Sequence, residues 1–261
     1  MVPRKIHYCW LSSDPLPPDL QECMDSWQKV MPDYELIRWD RSRFDVDSVL
    51  FVQEAVSVKK WAFAADYIRL YAVHSEGGIY LDSDVMVKMR FDEFLEYDFF
   101  TSVEYHRNIV EQEDAQQYLN ADGTRRDHQL GVPGIGIQAA IFGGVAGNAL
   151  LQDCLDHYRD RHFILPDGRY DTTIIAPGVY AAAAEKFGFR YRDEVQPLEG
   201  NMMVFPSDVF AGHPDQETPR SVAVHRGVGS WRDARPSSLL GRIRRIPGKL
   251  RRIATGSAGG S

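Results

Sequence analysis

Between Lys60 and Val85 the chain reads KWAFAADYIRLYAVHSEGGIYLDSDV, and this stretch restricts the fold more than any other. Trp61, Ala64, Ala65, Ile68 and Ala72 recur at helical spacing, and Gly77-Gly78 supplies a stop after Glu76. Ile79 and Leu81 then alternate with Tyr80, Asp82 and Asp84, the period of a strand. A helix that runs straight into a strand belongs in a layered α/β protein. On this reading Asp82 and Asp84 share one face of the strand, one residue apart. Two like charges that close raise each other's pKa and resist burial, and a cation beside them removes the conflict.

The rest of the chain repeats the alternation. Lys5 to Leu11 reads as a strand, and a helix capped by Asp19 runs to about Val30. Tyr34 to Trp39 is a second strand, and residues 44 to 58 are helical. Strands are expected at Phe99–Val103, Ala139–Val145, Met202–Phe205 and Ser221–His225, and helices at Leu150–His162 and Gly178–Phe187. The pattern predicts an α/β sheet layered by helices. Residues 104 to 136 are polar and poorly periodic, the mark of a functional or mobile segment.

The formal net charge of −7 argues against nucleic acid as a partner of the whole chain. From Trp231 onward the balance is +7, which leaves −14 on the body. Leu239, Ile243, Ile246, Leu250 and Ile253 are spaced four and three apart among arginines, and Pro247 interrupts them. Such a basic amphipathic tail suits an anionic membrane surface, and a solvated tail is the equal alternative. Residues 1–233 are therefore read as the main domain and 234–261 as the tail. Cys9, Cys23 and Cys154 are scattered and odd in number, no run reaches the roughly 20 apolar residues of a membrane span, and no leader-like core opens the chain. The expected location is cytoplasmic, with the tail able to dock on the inner face of the membrane.

Ligands of open α/β sheets sit beyond the carboxyl ends of strands, where Asp82 and Asp84 fall. Mg²⁺ and Mn²⁺ favour few carboxylates plus phosphate oxygens, so a metal bridged to a diphosphate fits; a solvated Asp-Ser-Asp turn is the plainer account. Asp66 and Arg69 lie three apart on an apolar helix, either as a buried ion pair or as a polar anchor for a ligand. His225 ends a short apolar strand before a glycine-rich turn and is a candidate third metal ligand. Trp231 can donate its indole N–H to a phosphate, and Trp10, at the end of the first strand, can stack on a nucleobase; both also suit a core.

KIHYCW, FAADYIRLYAVHSEGGIYLDSDV and HRGVGSW together resemble glycosyltransferase family 32, the DXD-motif group with capsular-polysaccharide enzymes and yeast α-mannosyltransferases. More distantly they resemble the glucosyltransferase domains of large clostridial toxins. The likeness is dense over residues 3 to 90 and returns at about 200 to 231. It implies a GT-A, Rossmann-like fold with a mixed, mostly parallel sheet, a nucleotide-sugar donor, Mn²⁺ or Mg²⁺, and transfer of a hexose with retention. UDP-sugars are favoured, GDP-mannose second, with a glycan or lipid-linked saccharide as acceptor in polysaccharide synthesis. By position, Trp10 would stack on the base, with Tyr8 and Tyr80 also on the donor side. Asp66 and Arg69 would hold sugar hydroxyls, and Asp82 the ribose and the metal. Asp84 and His225 would ligate the metal, and Trp231 would lie near the leaving phosphate. Gln138 is a candidate for the acceptor side or the sugar's β-face. Asp66, Arg69 and Asp84 form the expected catalytic set.

Two rivals remain. A phosphohydrolase of the haloacid-dehalogenase type also uses Asp-x-Asp at a strand end, but it wants Thr or Val where this chain has Met86. A non-catalytic sugar-nucleotide-binding protein would have lost site residues, and the expected polar groups are present.

Overall fold

The computed structural model describes residues 1–128, 131–172 and 175–227. Trp231, the boundary at 233 and the basic tail lie outside the described residues. The elements run β1 (Lys5–Cys9), α1 (Pro18–Val30), β2 (Glu35–Trp39), α2 (Leu50–Ser57), α3 (Trp61–Glu76), β3 (Gly78–Leu81) and β4 (Val85–Val87). They continue as β5 (Phe99–Tyr105), α4 (Arg107–Gln112), β6 (Ile135–Gly144), α5 (Ala149–Tyr158), α6 (Ala176–Ala184), β7 (Gln196–Leu198), β8 (Met202–Phe205), β9 (Phe210–Ala211) and β10 (Ala223–His225).

The main sheet has the order β2-β1-β3-β6-β5-β8-β7. Parallel pairings join β2, β1 and β3, and β5 with β8; β6 and β7 run the other way. This is the mixed, mostly parallel α/β architecture that the alternation and the GT-A resemblance imply. The strand period of two sorts its residues between two cores. Tyr80, Phe99, Val103 and Phe142 pack with residues of α2, α3, α5 and α6 on one face. Ile6, Ile79, Leu81, Phe100 and Ile141 pack with α1 and the small sheet β4-β10-β9 on the other. Trp27 of α1 is fully buried, and its indole N–H donates to Val85 O at 2.7 Å, which pins α1 to β4. In α3, Ile68, Leu70, Ala72 and Val73 are all inaccessible. Burying an aliphatic side chain of that size contributes about 1.5–3 kcal/mol, so packing rather than propensity holds this helix. Gly77 ends it at φ 65°, a conformation glycine adopts without strain.

Three expectations change. Asp19 does not cap α1; Pro17 holds the cap position, Pro18 starts the helix with its preset φ, and Asp19 sits in the first turn. The DSD segment is not strand. β3 is buried on both faces and stops at Leu81, and a turn closed by Val85 N–H donating to Asp82 O (3.0 Å) carries the carboxylates off the sheet. Continuing the strand between the two cores would bury both charges, which is costly. Finally, β6 begins at Ile135 rather than Ala139 and is buried over all ten residues. At Gly143 a Cβ would stand 2.3 Å from the Phe100 ring, so only glycine allows that approach.

His7 links sequence to pH behaviour. The Trp39 indole N–H donates to its Nδ1 at 3.0 Å, so its proton sits on Nε2, which donates to Gly77 O at 2.8 Å. Burial holds its pKa below the usual 6.5. Below that pH the unfolded chain takes up a proton that the folded chain refuses. Stability is therefore expected to fall as pH drops from about 6.5, by up to about 1.4 kcal/mol per unit until the folded pKa is passed. Urea midpoints of wild type and His7→Gln between pH 7 and pH 5 test this; the variant's curve should be flatter.

Candidate active site

The turn that ends β3 opens at the carboxyl edge of the sheet. Asp82 N–H still donates to Ala140 O of β6 at 2.9 Å, so the first carboxylate stays anchored to the ladder. Its Oδ1 accepts from the Tyr80 hydroxyl at 2.7 Å, and its Oδ2 lies 3.4 Å from Arg69 Nη1. Asp84 is held from the other sheet. β10 pairs antiparallel with β4 and sets His225 opposite Val85, and Arg226 N–H donates to Asp84 O at 2.9 Å. That register brings His225 Nε2 to 3.2 Å from Asp84 Oδ1. One ligand atom from each of Asp82, Asp84 and His225 falls within 4.8 Å of the other two. Two carboxylates and one imidazole converging on one point form a donor set that fits a divalent cation. Burial disfavours a proton on His225, but the bond to Asp84 and the charges of Asp84, Asp82 and Glu104 outweigh it and push the imidazole up to about 9.

Beside this cluster lies a buried charge network. The Arg69 side chain is 6% exposed, and Nη2 is 3.0 Å from Asp66 Oδ1. Its Nη1 donates to Ala139 O at 2.9 Å and its Nε to Ala65 O at 3.1 Å, and its guanidinium stands 5.0 Å from the Tyr80 ring centroid. Burial works against its charge, but Asp82 and Asp66 outweigh that and hold its pKa well above the ordinary value. Burial pushes the Asp66 carboxyl up to about 6 despite the pull of Arg69. Arg161 is a second cation felt at Asp66; it pairs with Asp171 at 2.7 Å and stacks on Phe51 and Tyr158. Burial pushes the Cys9 thiol up to about 12, which keeps it protonated and unreactive.

The expected residues divide by position. Asp66, Arg69, Tyr80, Asp82, Asp84 and His225 are joined by the contacts above. Tyr80 is itself buried and reaches the edge only through its hydroxyl on Asp82. Trp10 is half-buried just beyond β1, and its indole N–H donates to Asp14 O at 2.9 Å. Tyr8 packs edge-on against Trp27 with ring centroids 5.9 Å apart. Gln138 is 1% exposed, and its Oε1 accepts from Ala140 N–H at 3.0 Å inside a bulge of β6; among the described residues its side chain makes no hydrogen bond to the other expected residues. Glu104 and Arg161 were not singled out by motif. The only signal for Glu104 was its place at the end of a predicted strand.

Residues 17–101 match the family described as the glycosyltransferase sugar-binding region containing DXD motif. A curated relative, an uncharacterized glycosyltransferase L373 of Acanthamoeba polyphaga mimivirus, is 25% identical over 140 residues. That match covers 50% of this chain and 53% of the relative, so the chain spans about half the length of the curated relative it matches. Among solved structures, PaToxG glycosyltransferase aligns over 71% of this chain and 68% of its own at 14% identity and a TM-score of 0.45. The galactosyltransferase LgtC, solved with donor and acceptor sugar analogs, aligns over 85% and 86% at 12% identity and 0.46.

Proposed function

We propose that the chain is a DXD-type glycosyltransferase that transfers a hexose from a nucleotide sugar to a glycan or lipid-linked saccharide with retention of configuration, a reading supported by the family match over residues 17–101. UDP-sugars are the favoured donors and GDP-mannose the second. The observation that carries this reading is the convergence of Asp82, Asp84 and His225 next to the Asp66–Arg69 pair. The three would hold Mn²⁺ or Mg²⁺, and when bound there the ion supplies Lewis-acid stabilisation of the departing diphosphate. Arg69 is locked by two carbonyls and two carboxylates, so the Asp66 carboxylate beside it is pre-aimed for sugar hydroxyls. Tyr80 orients Asp82 from below. Trp10 offers a half-open aromatic face at the end of β1 for the base. Trp231 would lie on the phosphate side, and the domain of residues 1–233 would be joined to a basic tail, 234–261, that meets an anionic membrane surface at the cytoplasmic face.

The test is incubation with Mn²⁺ and a panel of UDP- and GDP-sugars, followed by assay of free nucleoside diphosphate. Release from one donor is expected. Release from phosphomonoesters alone would point to a phosphohydrolase, and silence throughout to a non-catalytic binding protein.

A further inference from the structure

Glu104 at the carboxyl end of β5 and His106 just beyond it are two polar residues that the proposed donor site does not use. Tyr80 of β3 and Thr101 of β5 both pair with Phe142 of β6, so the two strands run the same way and Asp82 and Glu104 both lie toward the carboxyl edge of the sheet, Glu104 still paired with Gly136. β3 and β5 are two strand spacings, about 10 Å, apart. Val103 packs with the core beneath α3, so strand alternation turns Glu104 to the opposite face, that of the small sheet bearing His225. Glu104 is indeed near enough for its charge to act on His225.

Glu104 is held in place. Its Oε1 lies 2.9 Å from His106 Nε2, with the two side chains 21% and 38% exposed. That bond raises the affinity of His106 for a proton against its burial, and Asp215 adds to it. A second pair stands next to the first: His213 Nδ1 is 2.8 Å from Asp215 Oδ1. The turn carrying it is tied to β5, because the Gln216 side-chain amide donates to Tyr105 O. It also borders the chain leaving β10, since His213 Cδ2 lies 3.9 Å from where a Cβ on Gly227 would stand. Behind the turn, the buried Gln138 Nε2 and Gln216 Oε1 lie against Gly212, and neither atom has a hydrogen-bond partner among the described residues. Glu104, His106, His213 and Asp215 thus form a polar group at this edge that includes none of the expected donor-site residues.

We propose that Glu104, oriented by His106, binds and orients the attacking hydroxyl of a saccharide acceptor. The inference rests on the transferase reading above and deepens it. In the transfer the acceptor oxygen bonds to the anomeric carbon on the face from which the diphosphate departs, which retains configuration, and the bond from that carbon to the diphosphate breaks with its electron pair going to the diphosphate. The hydroxyl proton passes to the Glu104 carboxylate and from there to solvent. Glu104 acts as the catalytic residue on the acceptor, and His106 is a positioning residue that fixes the carboxylate's direction.

The experiment compares wild type, Glu104→Gln, Glu104→Asp and His106→Asn with Mn²⁺ and the UDP-hexose that wild type turns over. Transfer to a panel of octyl hexosides is measured beside plain donor hydrolysis. Mn²⁺·UDP binding is read by calorimetry to report an intact donor site. Transfer by Glu104→Gln should fall roughly a hundredfold, with partial recovery in Glu104→Asp. Mn²⁺·UDP binding should be unchanged, because Glu104 is not one of the three expected metal ligands. His106→Asn should chiefly raise the acceptor KM. Unchanged transfer in Glu104→Gln, or loss of Mn²⁺·UDP binding, would overturn the assignment. Wild type that neither hydrolyses a donor nor makes product refutes the transferase reading itself, and the assignment falls with it.

Discussion

Asp84→Ala is expected to lower sugar transfer by at least roughly a hundredfold while leaving the fold intact. Asp84 Oδ1 lies 3.2 Å from His225 Nε2, and ligand atoms of both lie within 4.8 Å of one on Asp82. Removing Asp84 takes away a charge that a divalent ion needs, and the remaining pair cannot replace it. The turn itself should survive, because backbone bonds close it: Val85 N–H to Asp82 O and Arg226 N–H to Asp84 O. Circular dichroism and urea midpoints close to wild type, together with lost turnover, are the expected combination. A variant that retains transfer would place the chemistry elsewhere.

The second large effect belongs to Arg69→Met. The guanidinium serves Asp66, Asp82, Ala139 O and Ala65 O at once. Without it, two poorly exposed carboxylates face each other with their nearest cation gone. Breaking a buried ion pair from one side costs about 3–5 kcal/mol, a large share of a domain's stability. Urea unfolding should show a loss of that order, and any folded fraction should be inactive because Asp66 and Asp82 lose their orientation. Arg69→Lys should not rescue it, since one ammonium cannot match a planar fork to four acceptors. Asp66→Asn should be milder in stability, because burial already disfavours that carboxylate's charge.

Much of this was legible in the residues. α3 and the start of β3 announce themselves through a long helical period, a glycine stop and alternation, all local signals. β8 falls on its expected range, Met202–Phe205, because a short apolar run is bounded by turn residues. What was hidden depends on distant partners. β7 has three residues including Pro197, and β9 has two; neither carries a pattern, and each exists through pairing with β8 or β10. The start of β6 is not legible because a strand buried on both faces shows no alternation, and its first residues, Ile135 and Gly136, fall in the poorly periodic stretch. At the site, the Asp66–Arg69 and Asp82–Asp84 spacings were readable as motifs. That His225 would meet Asp84 follows from the β4–β10 register, and that Glu104 would share the edge follows from pairing across β6. Neither is a property of any one segment.

The central claim is that Asp82, Asp84 and His225 grip a divalent cation. Titration of Mn²⁺ in the presence of UDP, with free Mn²⁺ followed by electron paramagnetic resonance, measures it directly. One Mn²⁺ per wild-type chain is predicted, with binding weakened at least roughly tenfold in Asp84→Ala and in His225→Ala. Equal Mn²⁺ affinity in wild type and both variants would contradict the account.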